Sequence, residues 1–286
     1  MRFAIVGGDR RSAMLCSLLQ RDGHRVQSFA LEKAELPETV PKAGCLQSCV
    51  YGADCVILPV PAEKGGLLNA PLSDETLRMP ELIGALWKGQ LLCGGNLSEE
   101  SCLTAIKGKL LVEDLMRRPD FVVGNAAITA EGALELLMSA GEKTLWGSRA
   151  LVTGWGRIGK LLARRMVALG AEVTVAARRG SHRAEAWSLG LGAVDYKRAE
   201  AEISEFDFIV NTVPARVLTE AMLCCVAPDT VLLELASPPG GFDRSLAENI
   251  GLHVLTAPGL PGKCAPYTAA QLIRDAVYAA LREQEE

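Results

Sequence analysis

Short runs of apolar residues alternate with segments of helical period along almost the whole chain. Runs this apolar are typical of strands that are buried on both faces of a sheet. Because such strands alternate with helices, we expect right-handed crossovers and parallel sheets. The pattern predicts an α/β fold with two doubly wound parallel sheets. The predicted strands are residues 3–8, 53–60, 90–95 and 109–114 in the first half and 149–156, 172–178, 206–214, 230–237 and 252–258 in the second.

The two predicted sheets are joined by a helical segment. Residues 129–141 carry apolar positions at helical spacing, with Thr129 as the N-cap, Glu131 in the first turn and Gly141 as the C-cap. A helix of this length between two α/β units usually bridges them. The predicted parts are a catalytic, substrate-binding domain at 1–128 that a C-terminal helix at 266–286 completes, a bridging helix and linker at 129–148, and a Rossmann domain at 149–265.

The composition excludes several classes of protein. Apolar residues make up 49% and charged residues 22% of the 286 residues, as in ordinary globular proteins. The formal net charge of −4 argues against a nucleic-acid partner, which usually needs a basic face. The N-terminus has only a short apolar run, and no stretch approaches about eighteen uninterrupted apolar residues. We therefore expect neither a signal peptide nor a membrane span.

The nine cysteines are scattered, and Cys224 and Cys225 form the adjacent pair. There is no CxxC motif, and Cys45 and Cys49 have no second pair or histidine near them in sequence, so no metal site is predicted. Without an export signal, this distribution indicates reduced thiols in a cytoplasmic protein.

The segment "LVTGWGRIGKLLARRMVALG" carries a GxGxxG fingerprint at Gly154, Gly156 and Gly159. These glycines permit the tight turn, the approach of backbone to a pyrophosphate and the close packing of helix on strand. The helix N-terminus offers free N–H groups to the phosphates, with the backbone of Arg157 and Ile158 inside the loop. Since a strand precedes the motif and a helix follows it, the second domain is predicted to be a Rossmann dinucleotide-binding domain.

The strand that follows the fingerprint ends in "AARRGSHR". An acidic residue at this position favours NAD because it binds the ribose hydroxyls, whereas arginine favours a 2′-phosphate. Here Arg178 and Arg179 occupy the position, Ser181 offers a further contact, and the next acid is Glu185. The cluster predicts NADP rather than NAD; the alternative is a solvated cationic start to the next helix.

Three later strand ends are rich in proline and glycine. Ligands in this architecture lie along the carboxyl ends of the strands, so these loops are expected to wall the nicotinamide, although such loops also occur without a ligand. The predicted contacts are Thr212, Val213, Pro214, Ala236, Pro258 and Gly259.

Candidate substrate contacts follow the first strand and begin the bridging helix. "GGDRRS" lacks the third glycine, so no second dinucleotide site is predicted there. Arg10 and Arg11 either bind a substrate carboxylate or are exposed residues of a helix start. Asn125 and Thr129 are predicted to contact substrate, and Glu131 either accepts a proton or serves the helix dipole.

The three histidines are poorly placed for catalysis. His24 precedes a strand, His182 lies on the adenosine side, and His253 begins the last strand. None is placed as the general acid or base that carbonyl–alcohol dehydrogenases commonly use. A hydroxy-acid dehydrogenase is therefore disfavoured.

A set of motifs in order along nearly the whole chain resembles the family of dipicolinate synthase A subunits of spore-forming bacteria. They are "GGDRR", "NAAITAEG", "GWGRIG", "AARRGSHR", "NTVP", "LASPPGG" and "APGLPGKCAPYTAAQ". The last two are much more specific than the glycine fingerprint. The sequence departs from the family at Ile128, where a proline is usual, and at Lys263 and Cys264, where apolar residues are usual.

The resemblance implies NAD(P)-dependent oxidation of a dihydrodipicolinate-type intermediate, a small dicarboxylate, to dipicolinate. It also implies partnership with the flavoprotein-like B subunit of dipicolinate synthase, location in the mother-cell cytoplasm during sporulation, and a discontinuous catalytic domain with an inserted Rossmann domain, as in alanine and hydroxy-acid dehydrogenases. Because the reaction creates an aromatic ring, positioning supplies much of the catalysis. Arg10, Arg11 or Lys263 would hold the carboxylates, although Lys263 alternatively faces solvent, and Glu131 or water would take the proton.

Two other functions stay open at this point. One is an oxidoreductase like alanine or 2-hydroxyacid dehydrogenase, and the other is a non-catalytic protein that binds NADP and serves a partner. The oligomeric state is open as well, with a homo-oligomer as one option.

Overall fold

The computed structural model describes residues 1–140 and 142–285. The chain divides into two compact units. The first is Met1–Asn125 together with Ala265–Glu286, and the second is Ala126–Cys264. Each unit contains its own sheet and two hydrophobic clusters.

The first unit is built on a parallel sheet with the strand order β2-β1-β3-β6-β7. Apart from a small antiparallel hairpin, β4–β5, this is the 2-1-3-4-5 order of one group of doubly wound folds. The strands are β1 (Arg2–Val6), β2 (Arg25–Phe29), β3 (Cys55–Ile57), β4 (Glu63–Lys64), β5 (Leu67–Leu68), β6 (Leu91–Gly94) and β7 (Leu111–Asp114).

Both faces of this sheet are covered, because successive side chains of a strand point to opposite faces. In β1, Phe3 and Ile5 enter one core and Ala4 and Val6 enter another. The helices of this part of the chain are α1 (Arg10–Arg21), α2 (Leu46–Val50), α3 (Met79–Gly84), α4 (Glu99–Lys107) and α5 (Pro119–Ala140).

The second unit has a parallel sheet with the order β10-β9-β8-β11-β12-β13, which is the 3-2-1-4-5-6 order of the Rossmann fold. The fold class predicted from the sequence is therefore confirmed. Strand β10 was missed because it has three residues and begins with a glycine. The elements are β8 (Arg149–Thr153), α6 (Arg157–Ala168), β9 (Glu172–Ala176), α7 (Gly180–Ser188), β10 (Gly192–Val194), α8 (Tyr196–Ala201), β11 (Phe208–Asn211), α9 (Glu220–Cys225), β12 (Val231–Glu234), α10 (Arg244–Asn249), β13 (His253–Thr256) and α11 (Leu260–Cys264).

The last helix, α12 (Pro266–Glu285), belongs to the first unit and packs along α1. Its buried face is rich in alanine, which lets the two helices approach closely. Polar contacts hold the helix along its length: the Tyr278 hydroxyl donates to Asp22 at 2.7 Å, and Arg118 donates to Glu283 at 2.8 Å.

Helix α5 corrects the sequence prediction, because it begins at Pro119, ten residues before Thr129. Proline suits the first helical position, and Asp120 provides the acidic first turn that was assigned to Glu131. The helix runs through two glycines, Gly132 within the predicted range and Gly124 before it. A Cβ at Gly124 would lie 2.8 Å from Leu272, and one at Gly132 would lie 2.8 Å from the Cys264 sulfur, so packing requires glycine at both.

Thr129 and Glu131 consequently lie inside α5 and do not form its N-cap and first turn. Gly141, the predicted C-cap, lies outside the described residues.

Among the described residues, α5 is the one helix long and apolar enough to cross a membrane by length and composition. Half of its most apolar window is buried within the protein, however. Phe121 packs in the core of the first unit, and Ala130, Ala133 and Leu137 pack in the core of the second. Core packing accounts for the apolar character of the helix.

Replacing Phe121 with Ala is expected to destabilise the protein by about 3–5 kcal/mol, since a buried aromatic side chain leaves a cavity. Val123 on the same helix is 52% exposed, and Val123→Ala is the matched control, with an expected change within about 0.5 kcal/mol. Urea denaturation followed by circular dichroism measures both. Equal effects of the two substitutions would contradict the core role of α5.

Candidate functional site

The glycine loop between β8 and α6 has the geometry of a dinucleotide site. Gly154 has φ +93°, and a Cβ there would lie 2.7 Å from both Thr212 Oγ1 and a methyl of Val213. A Cβ on Gly159 would lie 2.6 Å from the Gly154 carbonyl oxygen. At Gly156, in contrast, a Cβ would meet no atom within 4 Å. Two of the glycines thus serve packing, and the middle one borders open space.

That open space is bordered by the start of α6. Gly156 is the N-cap and brings no capping side chain. The first helical bond of this turn runs from Lys160 N–H to the Gly156 carbonyl at 3.0 Å, so the N–H groups of Arg157, Ile158 and Gly159 precede the helical ladder. A diphosphate fits this cradle, because backbone donors and the helix dipole face a volume that a side chain would fill.

The arginine cluster lies where β9 passes into α7. Arg178 and Arg179 are exposed, and Ser181 is exposed in the first turn of α7. Arg183, which was not among the predicted site residues, donates to the carbonyls of Ala177 and Arg178, both at 2.8 Å. Its guanidinium therefore shapes the turn that presents Arg178 and Arg179.

Glu185, the first acid after these arginines, is engaged elsewhere. Its carboxylate accepts from the Lys160 ammonium at 2.6 Å, and this hydrogen bond holds the pKa of Glu185 below its usual value. The same ammonium lies 5.8 Å from the centre of the Trp155 ring. The ion pair links α6 to α7. Glu185, the acidic residue nearest the arginine cluster in sequence, is therefore bound to Lys160.

The loops at the ends of β11, β12 and β13 carry the predicted nicotinamide contacts. Thr212 is tied to the end of β8, since its hydroxyl and its N–H both donate to the Thr153 carbonyl, at 2.7 and 3.1 Å. The structure leaves Thr212, Val213 and Ala236 half-buried and Pro214, Pro258 and Gly259 exposed. Among these six, Thr212 and Val213 directly adjoin the glycine loop through Gly154.

Three residues that hold these loops were not predicted to do so from the sequence, although Asn211 begins the predicted loop "NTVP". Thr153, Asn211 and Glu234 end neighbouring strands and are joined by hydrogen bonds of 2.6 Å. The only sequence signal for them is a polar residue at the end of each apolar run.

Two predicted arginines at the start of α1 differ in environment. Arg10 is exposed. Arg11 is 5% exposed, and its guanidinium donates to the Asp9 carboxylate, at 2.8 Å from Nη2, and to the Val60 carbonyl. Asp9 also caps α1 by accepting from the Arg11 N–H. A carboxylate ligand would have to displace Asp9 to reach Arg11, so Arg10 is the more accessible candidate.

The remaining candidates lie on α5 and α11. Asn125 is half-buried, and Thr129 is buried. Glu131 is exposed and accepts from Arg165 on α6 at 3.2 Å. Lys263 borders a cavity of about 150 Å³ within the second unit, together with Glu135 and Thr256.

None of the three histidines lies in the loops that follow β11, β12 and β13. His24 packs against Phe3 and Tyr278, with ring centres 5.1 and 5.6 Å away, and burial lowers its pKa. His182 is in the first turn of α7, and His253 begins β13.

Each of the two units contains a segment that matches a model of a known protein family. Residues 2–116 match the model of the N-terminal domain of the dipicolinate synthase A subunit. Residues 137–225 match the NAD-binding domain of D-isomer specific 2-hydroxyacid dehydrogenases. Over 99% of its length, the chain is 31% identical to the dipicolinate synthase A subunit of Bacillus subtilis (strain 168), of which it covers 96%.

The chain belongs to the family of dipicolinate synthase A subunits. Solved structures of this family agree with the fold. The A subunit of the Bacillus halodurans enzyme superposes with a TM-score of 0.85 at 27% identity, over 98% of this chain and 97% of that one. The A chain of dipicolinate synthase from Bacillus subtilis superposes with a TM-score of 0.84 at 29% identity, over 100% of this chain and 98% of that one. The resemblance seen in the sequence is thereby confirmed, and the second unit is an NAD(P)-binding domain of the 2-hydroxyacid dehydrogenase type.

The space beside Gly156 leads to a prediction. Gly156→Ser adds a good N-cap to α6, so thermal stability should be kept or raised, but its side chain enters the cradle. We expect dinucleotide affinity to fall by about tenfold or more, since one lost charge-assisted contact is sufficient for that. Isothermal titration calorimetry and thermal denaturation measure the two effects. Gly159→Ala is the contrasting variant, in which both stability and affinity should fall; retained affinity in Gly156→Ser would place the phosphates elsewhere.

Proposed function

We propose that the protein is the A subunit of a dipicolinate synthase and carries out the NADP-linked oxidation of a dihydrodipicolinate-type intermediate to dipicolinate. The observation that carries this proposal is the near full-length match to the dipicolinate synthase A subunit, joined to a glycine loop with room for a diphosphate. The flavoprotein-like B subunit is the proposed partner. The proposed setting is the mother-cell cytoplasm during sporulation.

The reaction removes one hydride and one proton from the substrate ring. Bound NADP⁺ supplies the hydride acceptor. The N–H groups at the start of α6 would hold the diphosphate, and Arg178, Arg179 and Ser181 would bind the 2′-phosphate. Loops 212–214, 235–241 and 257–259 would hold the nicotinamide. Because the product ring is aromatic, the oxidation is strongly downhill, and holding the substrate in place is the main demand on the protein.

We assign the carboxylates of the substrate to the cationic side chains of one unit, and each unit offers a candidate. Arg10 is the candidate in the first unit, with Arg11 available only if its pair with Asp9 opens. Lys263 is the candidate in the second unit, where it borders a cavity. Asn125 and Thr129 add polar contacts from α5. Glu131 or water takes the proton, and Glu131 can do so when its ion pair with Arg165 is released.

The test mixes the chain, with and without the B subunit, with NADP⁺ or NAD⁺ and a freshly generated dihydrodipicolinate precursor. Dipicolinate absorbance reports the product. We expect acceleration over the spontaneous reaction, and loss of that acceleration in Gly156→Ser, which should keep the fold. A rate equal to the spontaneous one in every combination would overturn the proposal. Nucleotide binding without turnover would instead favour a non-catalytic role.

The cofactor preference has its own test. Arg178→Asp with Arg179→Ser should weaken NADP⁺ binding by about 10- to 1000-fold, the loss expected for one or two hydrogen bonds between charged groups, and should spare NAD⁺. The control is Arg164→Asp with Arg244→Ser, which makes the same charge change on other helices of this unit. Dissociation constants for both cofactors measure the effect. Equal weakening of the two would contradict a 2′-phosphate site.

A further inference from the structure

The last residues of three adjacent strands form a hydrogen-bonded row across the sheet of the second unit. Thr153 is in register with Asn211, and Asn211 is in register with Glu234, at the carboxyl ends of β8, β11 and β12. Thr153 and Asn211 are fully buried. We call these three residues the strand-end triad.

The side chains of the triad are bonded in sequence. The Thr153 hydroxyl donates to Asn211 Oδ1 at 2.6 Å, and Asn211 Nδ2 donates to Glu234 Oε1 at 2.6 Å. Each central strand is thus linked to the next at the edge where ligands of this fold bind. A buried network of this kind holds one arrangement when every member is satisfied.

The triad also holds the two loops that follow it. Asn211 accepts from the Val213 N–H at 3.1 Å and donates to the Val213 carbonyl at 3.0 Å, which closes the loop after β11. Glu234 accepts from the N–H groups of Ala236 at 2.8 Å and Gly241 at 2.7 Å, which closes the loop after β12. The two Glu234 oxygens therefore bind both ends of the segment 235–241.

The glycines of "PPGG" allow that closure. Gly240 has φ +74°, and a Cβ there would lie 2.8 Å from Glu234 Oε2. A Cβ on Gly241 would lie 2.2 Å from Asn211 Cγ. The motif "LASPPGG" therefore ends in two glycines because the loop after β12 packs directly on the Asn211 and Glu234 side chains.

We infer that Glu234 is a positioning residue that holds loops 212–214 and 235–241 for the nicotinamide half of the cofactor. The inference rests on the proposed function, because it takes these loops as the walls of the nicotinamide. The arginine turn at the adenosine half is held by a different set of bonds, from Arg183 to the carbonyls of Ala177 and Arg178, both at 2.8 Å. Disturbing Glu234 should therefore affect the two halves of the dinucleotide unequally.

The test compares Glu234→Gln with the wild-type full chain. Glutamine keeps the size of the side chain but turns one acceptor into a donor that faces N–H donors. We expect NADPH affinity to fall by about tenfold. Affinity for adenosine 2′,5′-bisphosphate, which lacks the nicotinamide half, should stay within about twofold of wild type. Calorimetric titration measures both ligands, and in turnover the KM for the dinucleotide should rise more than kcat falls.

Glu200→Gln on α8 is the matched control, with an exposed side chain, and neither ligand should be affected by it. Glu234→Asp keeps the charge on a shorter side chain, so it should lower NADPH affinity by less than Glu234→Gln and leave the affinity for the bisphosphate unchanged. It replaces Glu234→Gln in the test if that variant does not fold. Equal losses for both ligands, or no loss for either, would overturn the positioning role while leaving the proposed function intact. Failure of the wild-type chain to bind either ligand would overturn both.

Discussion

The close contact between the β8–α6 turn and the end of β11 is the constraint on which the site depends. Neither Gly154 nor Gly159 has room for a side chain, because Thr212, Val213 and the turn's own carbonyl fill the space. Of the three glycines of the fingerprint, Gly156 is the one at which an added Cβ would meet no atom within 4 Å. This geometry suits an anion, since backbone donors and the helix dipole at the start of α6 face open space.

Two ends of the proposed dinucleotide site are supported by different interactions. At the adenosine end, Arg183 shapes the turn after β9, and the Lys160–Glu185 pair joins α6 to α7. At the other end, Asn211 and Glu234 hold the loops after β11 and β12. Charged and amide side chains thus serve mainly to fix backbone, while the exposed arginines are left available for a ligand. This division explains why one cluster of arginines contains both a structural and a candidate binding group.

Parts of the fold and of the candidate site were predictable because their signals are local. The alternation of apolar runs with helical segments indicates parallel sheets, and glycine at three spaced positions between a strand and a helix indicates the cofactor turn. Helix α5 was misplaced for the opposite reason. The predicted start at Thr129 left out residues 119–128, which include Gly124, and only the packing of Leu272 against Gly124 shows why glycine is required inside the helix there. The burial of Arg11 was likewise invisible, since one of its partners is the Val60 carbonyl, 49 residues away in sequence.

The sequence by itself determined the two parallel sheets, the glycine turn and the presence of arginine where a ribose-binding acid is usual, because each of these depends on residues close together in the chain. The tertiary structure decided which polar residues hold the site. Thr153, Asn211 and Glu234 are 58 and 23 residues apart in sequence, yet they are adjacent because parallel strands bring their carboxyl ends to one edge. A hydrogen bond between side chains requires a separation of about 3 Å, and only the register of the strands sets that separation.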